Sequence, residues 1–192
     1  MARLDAISEA KRTAQLGATI GRRFSYGLLR AVSSLTEDEI QRDLDALMAA
    51  DLLYQHGVGP HTTFIFKHAL IQETAYASLL RRARQRLHHR IARFLESQFS
   101  DLAASQPELV AHHYVQSEAW ESALSYLRQA AEKARQGYAN AEALAFYTQA
   151  LEVSDRIEPS PYGLPVVQVK VRMTTQEGQT ILTGTAEVSL PH

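Results

Sequence analysis

Apolar residues recur every three or four positions along most of this chain, and short β-prone runs interrupt the pattern in two places. The first spacing puts side chains on one face of a helix, while alternation puts them on one face of a strand. Residues 8–18 (SEAKRTAQLGA) read as a first helix that ends near Gly17 and Gly21. Residues 25–32 (SYGLLRAV) form a second, with Tyr26, Leu28 and Leu29 as core candidates. Thr36 opens a third. There TEDE places Thr36 at the N-cap and Glu39 three residues later, a capping box. Ile40, Leu44, Leu47 and Met48 then repeat on one helical face. DLLYQ and TTFIF flank Gly57, Gly59 and Pro60 and read as a hairpin. Three helices and a hairpin over residues 1–66 follow the order of a winged helix.

Residues 67–105 read as connecting helices, with the chain helical in two pieces from Lys67 to Phe99. Leu80, Ala83, Leu87, Ile91, Phe94 and Leu95 make one stripe, and Arg82, Arg86, Arg90 and Arg93 make another on the opposite side. No acidic residue lies between Arg81 and Arg93. Residues 106–157 contain an internal echo: ALSYLRQA (123–130) and ALAFYTQA (143–150) align Ala123 with Ala143, Tyr126 with Phe146 and Ala130 with Ala150. Ala111 and Tyr114 sit upstream at the small and aromatic positions of a tetratricopeptide first helix. The copies are 20 residues apart rather than the ~34 of that repeat. One helix over about 119–138 would then serve both as the second helix of one repeat and the first of the next.

Residues 158–192 change character. EPSPYGLP is a breaker, and VVQVKVRM and TILTGTAEVSL are strands around Glu177 and Gly178. An isolated strand pair is marginal in water, so the hairpin needs something to pack on, such as the open repeat end at 138–147. The expected fold class is mainly α: a winged helix, then tetratricopeptide-like helical hairpins, with a small C-terminal β-hairpin.

Composition narrows the function. A net charge of −1 gives no global pull toward nucleic acid or acidic membrane. The absence of cysteine excludes disulfides, thiolate zinc sites and cysteine nucleophiles. MARLDAISEAKR carries charges where a signal peptide needs its apolar core, and no apolar run reaches the ~20 residues of a membrane span. A soluble, cytoplasmic protein is expected.

Candidate chemistry is sparse. His68, between Lys67 and a helix carrying Glu73, could carry protons or sense a ligand, since histidine titrates near neutrality. The competing reading is a hinge residue, partly buried and bonded to backbone or to Glu73. Within His88–His89 and within His112–His113 the side chains diverge by ~100°, so neither pair offers two metal ligands in one direction. A metal site would need two helices, and no metal or other cofactor is expected. The Arg82, Arg86, Arg90 and Arg93 face could meet phosphates, stay solvated, or dock an acidic protein surface. The third helix, which would read a DNA groove, carries Glu37, Asp38, Glu39, Asp43 and Asp45 against Arg42. That charge makes nucleic-acid binding there unfavourable. The G-x-S-x-G nucleophile elbow is missing, and no enzymatic activity is expected.

ARLDAISEAKRTAQLGATIGRRFSYGLL, DLDALMAADLLYQ, TTFIFKHALIQETAYASLL, RQRLHHRIARFLE and QPELVAHHYVQSEAWESALSYLRQAAEKA succeed one another over residues 2–157. In that order they resemble the winged-helix and tetratricopeptide region of bacterial STAND signalling ATPases, the predicted ATPases joined to adenylate or guanylate cyclase domains. The resemblance implies an ATPase core ahead of this region and a protein or peptide partner on the repeats. It also implies that His68 faces the nucleotide core. The phosphate-binding G-x-x-x-x-G-K-[ST] loop is absent from the chain, so ATP hydrolysis is not carried over. The tail VQVKVRMTTQEGQTILTGTAEVSLP resembles the closing strands of MaoC-like hot-dog hydratases. This leaves open a truncated or fused reading frame without independent activity.

Overall fold

The computed structural model describes residues 2–59, 62–157, 166–174 and 180–189, with backbone alone for 2–9 and for the strands of the tail. The chain divides into two units, 1–105 with 116–118, and 106–115 with 119–192.

The first unit runs α1 (Ala2–Ile20), β1 (Arg23–Ser25), α2 (Tyr26–Val32), α3 (Glu37–Ala49), β2 (Leu53–His56), β3 (Thr63–Phe66), α4 (Ala69–Ala77), α5 (Arg81–Gln98) and α6 (Ser100–Ser105). Its three strands are antiparallel in the order β1-β3-β2, with Phe24 opposite Phe64 and Leu53 opposite Phe66. Helix–strand–helix–helix–strand–strand with that order is the winged-helix arrangement. β1 goes beyond the expected hairpin, and its three residues become a strand only by pairing with β3. α1 also extends well beyond the expected 8–18.

Phe24, Phe64 and Phe66 bring three rings into the core, Phe24 lying 5.8 and 5.7 Å from the other two. Leu29, Ile40, Leu44 and Leu47 are buried in the same unit. Tyr26 and Met48 stop half-buried. Gly17 lets α1 lie directly on Phe24, since a Cβ there would fall 2.7 Å from the ring. The capping box forms as the sequence implies: the Glu39 amide donates to Thr36 Oγ1, and the Glu39 carboxylate accepts from the Thr36 amide at 2.7 Å. At the other end of α3, Asp51 takes a left-handed conformation (φ 64°). The Leu52 amide then reaches back to the Leu47 carbonyl at 3.0 Å and the Asp51 amide to Met48 at 2.9 Å, a Schellman turn.

α4 and α5 belong to this unit rather than standing apart as a connector, since α4 packs on α1 and α5 touches α1 and α2. α4 buries no residue. Polar links hold it, with Gln72 donating to the Ala18 carbonyl (2.9 Å) and Gln15 to Ser78 (2.8 Å). The inward face of α5 is His88, Ile91, Ala92 and Leu95. That corrects the expected apolar stripe. Leu80 is 81% exposed, and Ala83, Leu87 and Phe94 are half-buried. A histidine completes the face because its Nε2 meets the Tyr76 hydroxyl at 3.0 Å, which satisfies a polar atom inside.

The second unit comprises α7 (Pro107–Gln116), α8 (Trp120–Gln136), α9 (Asn140–Ser154), β4 (Val166–Thr174) and β5 (Thr180–Ser189). α8 occupies almost all of the expected 119–138. Glu108 pairs with Lys133 at 3.0 Å, and the Tyr114 and Tyr126 rings stack at 5.7 Å, so α7 and α8 are antiparallel. α9 returns along α8 after a second turn. β4 and β5 pair antiparallel from Val166–Ser189 to Thr174–Thr180, and β5 touches α9. The expected turn at Glu177–Gly178 and the linker at 158–165 lie outside the described residues. Among those residues, no helix is long and apolar enough to cross a membrane.

Candidate functional site

α5 is the most strongly charged element of the first unit. It carries six arginines and one carboxylate, Glu96, beyond Arg93. With 3.6 residues per turn, Arg82, Arg86 and Arg93 fall on one line and Arg90 beside it. All four are exposed, opposite the buried His88, Ile91 and Leu95. Among the described residues, none of the four is joined to a carboxylate by an ion pair. Arg81, by contrast, is engaged with Glu118, which raises its pKa. Arg84 lies over the Tyr76 ring at 5.1 Å and donates to the Leu79 carbonyl.

Beside this face is a depression of about 660 Å³, lined by Ala83, Gln85, Arg86, Leu87, His89, Arg90 and Ser117. Burial lowers the Arg90 pKa from the ordinary guanidinium value. Gln85 and His89 lie outside both stripes read from the sequence, although His89 is three positions from Arg86 on the same face and helical spacing points to it. Ser117 left no signal, because it comes from the 116–118 segment, far along the chain.

His68 is exposed at the N-cap of α4. Its backbone is extended (φ −127°, ψ 143°) and its imidazole makes no capping hydrogen bond. Its carbonyl accepts from the Ile71 amide at 3.1 Å. Among the described residues no hydrogen bond or ion pair joins it to Glu73, which is also exposed. The expectation of a partly buried imidazole is therefore corrected. His68 follows the end of β3, and α4 buries none of its residues, so the side chain is left in solvent. Lys67 is placed more firmly. It pairs with Asp51, lies over the Tyr54 ring at 5.2 Å, and has a raised pKa chiefly from the hydrogen bond to Asp51.

On α3 the outward face shows Glu37, Asp38 and Asp45 against Arg42. Glu37 is drawn toward Arg30 (3.0 Å) and accepts from the Tyr26 hydroxyl (3.3 Å). Asp43 turns toward α1 and accepts from Thr13 Oγ1 at 2.5 Å.

In the second unit Ala111, Tyr114, Ala123, Ala130, Ala143 and Ala150 are buried, while Tyr126 and Phe146 are half-buried. Leu127, Ala131 and Ala134 join the same face of α8. The 20-residue echo extends to the turns. Glu118 and Tyr138 both have φ 59°, and the following alanine amides return to the carbonyls of Tyr114 (3.1 Å) and Ala134 (2.9 Å). Glu132 accepts from Arg135 and Gln136, in that order of influence, which holds its carboxyl down at about 2.

No family model matches the chain, and no solved structure matches it. It is similar to an uncharacterised protein of Rhizobium meliloti (strain 1021), 27% identical over 159 residues, which make up 82% of this chain and 16% of that protein. The chain therefore spans about a sixth of the length of the curated relative it matches.

Proposed function

We propose that this chain is a non-enzymatic, cytoplasmic protein-interaction and regulatory module, in which a winged-helix spacer is joined to tetratricopeptide-like repeats that bind a protein or peptide. The observation that carries the reading is the outward face of α3. Glu37, Asp38 and Asp45 stand where a DNA-reading winged helix needs neutral or basic groups, and the phosphate backbone would repel them. Helical hairpins that share α8 supply the stacked surface that repeats offer to partners. The sequence resemblance to STAND signalling ATPases supports the same role and adds an ATPase core elsewhere in a longer protein. The short span of the match to the Rhizobium protein agrees with a module of something larger.

A gel-shift titration with duplex DNA at low salt tests this reading. No retardation is expected from the wild-type chain. Tight, salt-sensitive retardation that is weakened by Arg42→Gln would overturn it in favour of a nucleic-acid reader.

A further inference from the structure

The groove beside α5 has a chemistry that the interaction reading leaves unused. Its two arginines, Arg86 and Arg90, are one helical turn apart, ~5–6 Å between Cβ atoms, and both line the same depression. Gln85, His89 and Ser117 line the same depression, and Ala83 and Leu87 form an apolar flank. Its volume of about 660 Å³ falls within the ~300–1,000 Å³ range of small-molecule sites.

The charge balance there is one-sided. Arg86 and Arg90 line the depression, and none of its described lining residues is a carboxylate. Paired guanidinium forks match phosphate oxygens in geometry as well as charge.

We propose that this groove is a binding site for a small anion carrying at least two linked phosphate groups, with Arg86 and Arg90 each engaging one phosphate. A concave site favours a compact anion over a duplex backbone, which would lie along the whole Arg82 to Arg93 row and leave the hollow unfilled.

Calorimetric titration of the full chain with inorganic tripolyphosphate tests the site, with orthophosphate and a duplex DNA oligomer titrated in parallel. Saturable one-to-one binding of tripolyphosphate is expected, at least tenfold tighter than orthophosphate. Arg86→Gln and Arg90→Gln should each weaken it roughly tenfold or more, and Arg42→Gln on α3 should leave it unchanged. Unchanged circular dichroism and melting curves will show that the variants remain folded, as expected for exposed side chains. The proposal is overturned by absence of saturable binding, or by equal losses in all three variants, which would indicate unspecific charge attraction. Duplex DNA binding more tightly than tripolyphosphate, with dependence on Arg82 and Arg93 as strong as on Arg86 and Arg90, would also overturn it.

Discussion

The two units differ in the share of large side chains in their interiors. The first buries three rings, Phe24, Phe64 and Phe66, together with Leu29, Ile40 and Leu44, beside alanines such as Ala10 and Ala92. The second buries Ala111, Ala123, Ala130, Ala131, Ala143 and Ala150, with Tyr114, His113 and Leu127 as its large members. Bulky residues fill the space between a sheet and helices that cannot approach closely. Alanines let whole helices approach, and the contact is then made along their length. The first interior should be sensitive to removing atoms and the second to adding them.

The largest expected effect lies in the first unit. Phe64→Ala removes a ring that is 2% exposed and packed on Phe24, and should cost about 3–5 kcal/mol. Urea unfolding followed by hydrogen exchange in α3 and β3 would measure it. A loss below about 1 kcal/mol would mean that the aromatic core is loosely packed. The reciprocal change in the second unit is Ala130→Leu, expected to cost about 1–3 kcal/mol by overpacking. Trp120, the chain's one tryptophan, lies on α8 beneath Arg156 at 5.3 Å and reports this unit by fluorescence. A neutral result would show that α8 has free space at Ala130 and would erase the contrast.

A smaller effect, of opposite sign, is expected at the α8–α9 turn. Tyr138 has the left-handed conformation (φ 59°), which costs a non-glycine residue about 1–2 kcal/mol. Gly137, one position earlier, has an ordinary φ of −83° and does not need to be glycine. Tyr138→Gly should therefore stabilise the second unit by about 0.5–1 kcal/mol, after the added freedom of the unfolded chain is counted. A lowered melting temperature would instead show that the exposed Tyr138 ring makes a stabilising contact.

The smallest effect concerns acid. The Glu132 carboxyl is held near 2, below the ~4.3 of an unperturbed glutamate, chiefly by Arg135. Its contribution to folding is thus fully present above pH ~4.3 and is lost as pH falls through about 2. Glu132→Gln should flatten the acid limb of the second unit's stability curve, slightly, because the pair is at the surface. Identical acid limbs in wild type and variant would show that the pair contributes nothing.

Much of the architecture was legible because it is local. The Thr36–Glu39 capping box requires two residues at one spacing, and the 20-residue echo between Ala123 and Ala143 requires only periodicity. Both appear in the structure as written. The left-handed turns were less legible, since neither Asp51, Glu118 nor Tyr138 is a glycine and Gly137 points to the wrong position. Of the site, the arginine row could be read from helical spacing alone. The groove beside it could not, because Ser117 reaches it from another part of the chain.

The sequence by itself determined most of the helical runs, the Thr36 capping box and the charge of each face, since these follow from residues within a turn or two of one another. Only the tertiary structure decided which face was buried. It placed His88 inward beside Tyr76, left Leu80 and His68 in solvent, and made a strand of Arg23–Ser25 by giving it β3 as a partner. Burial and strand pairing depend on residues distant in sequence, and no local pattern specifies them.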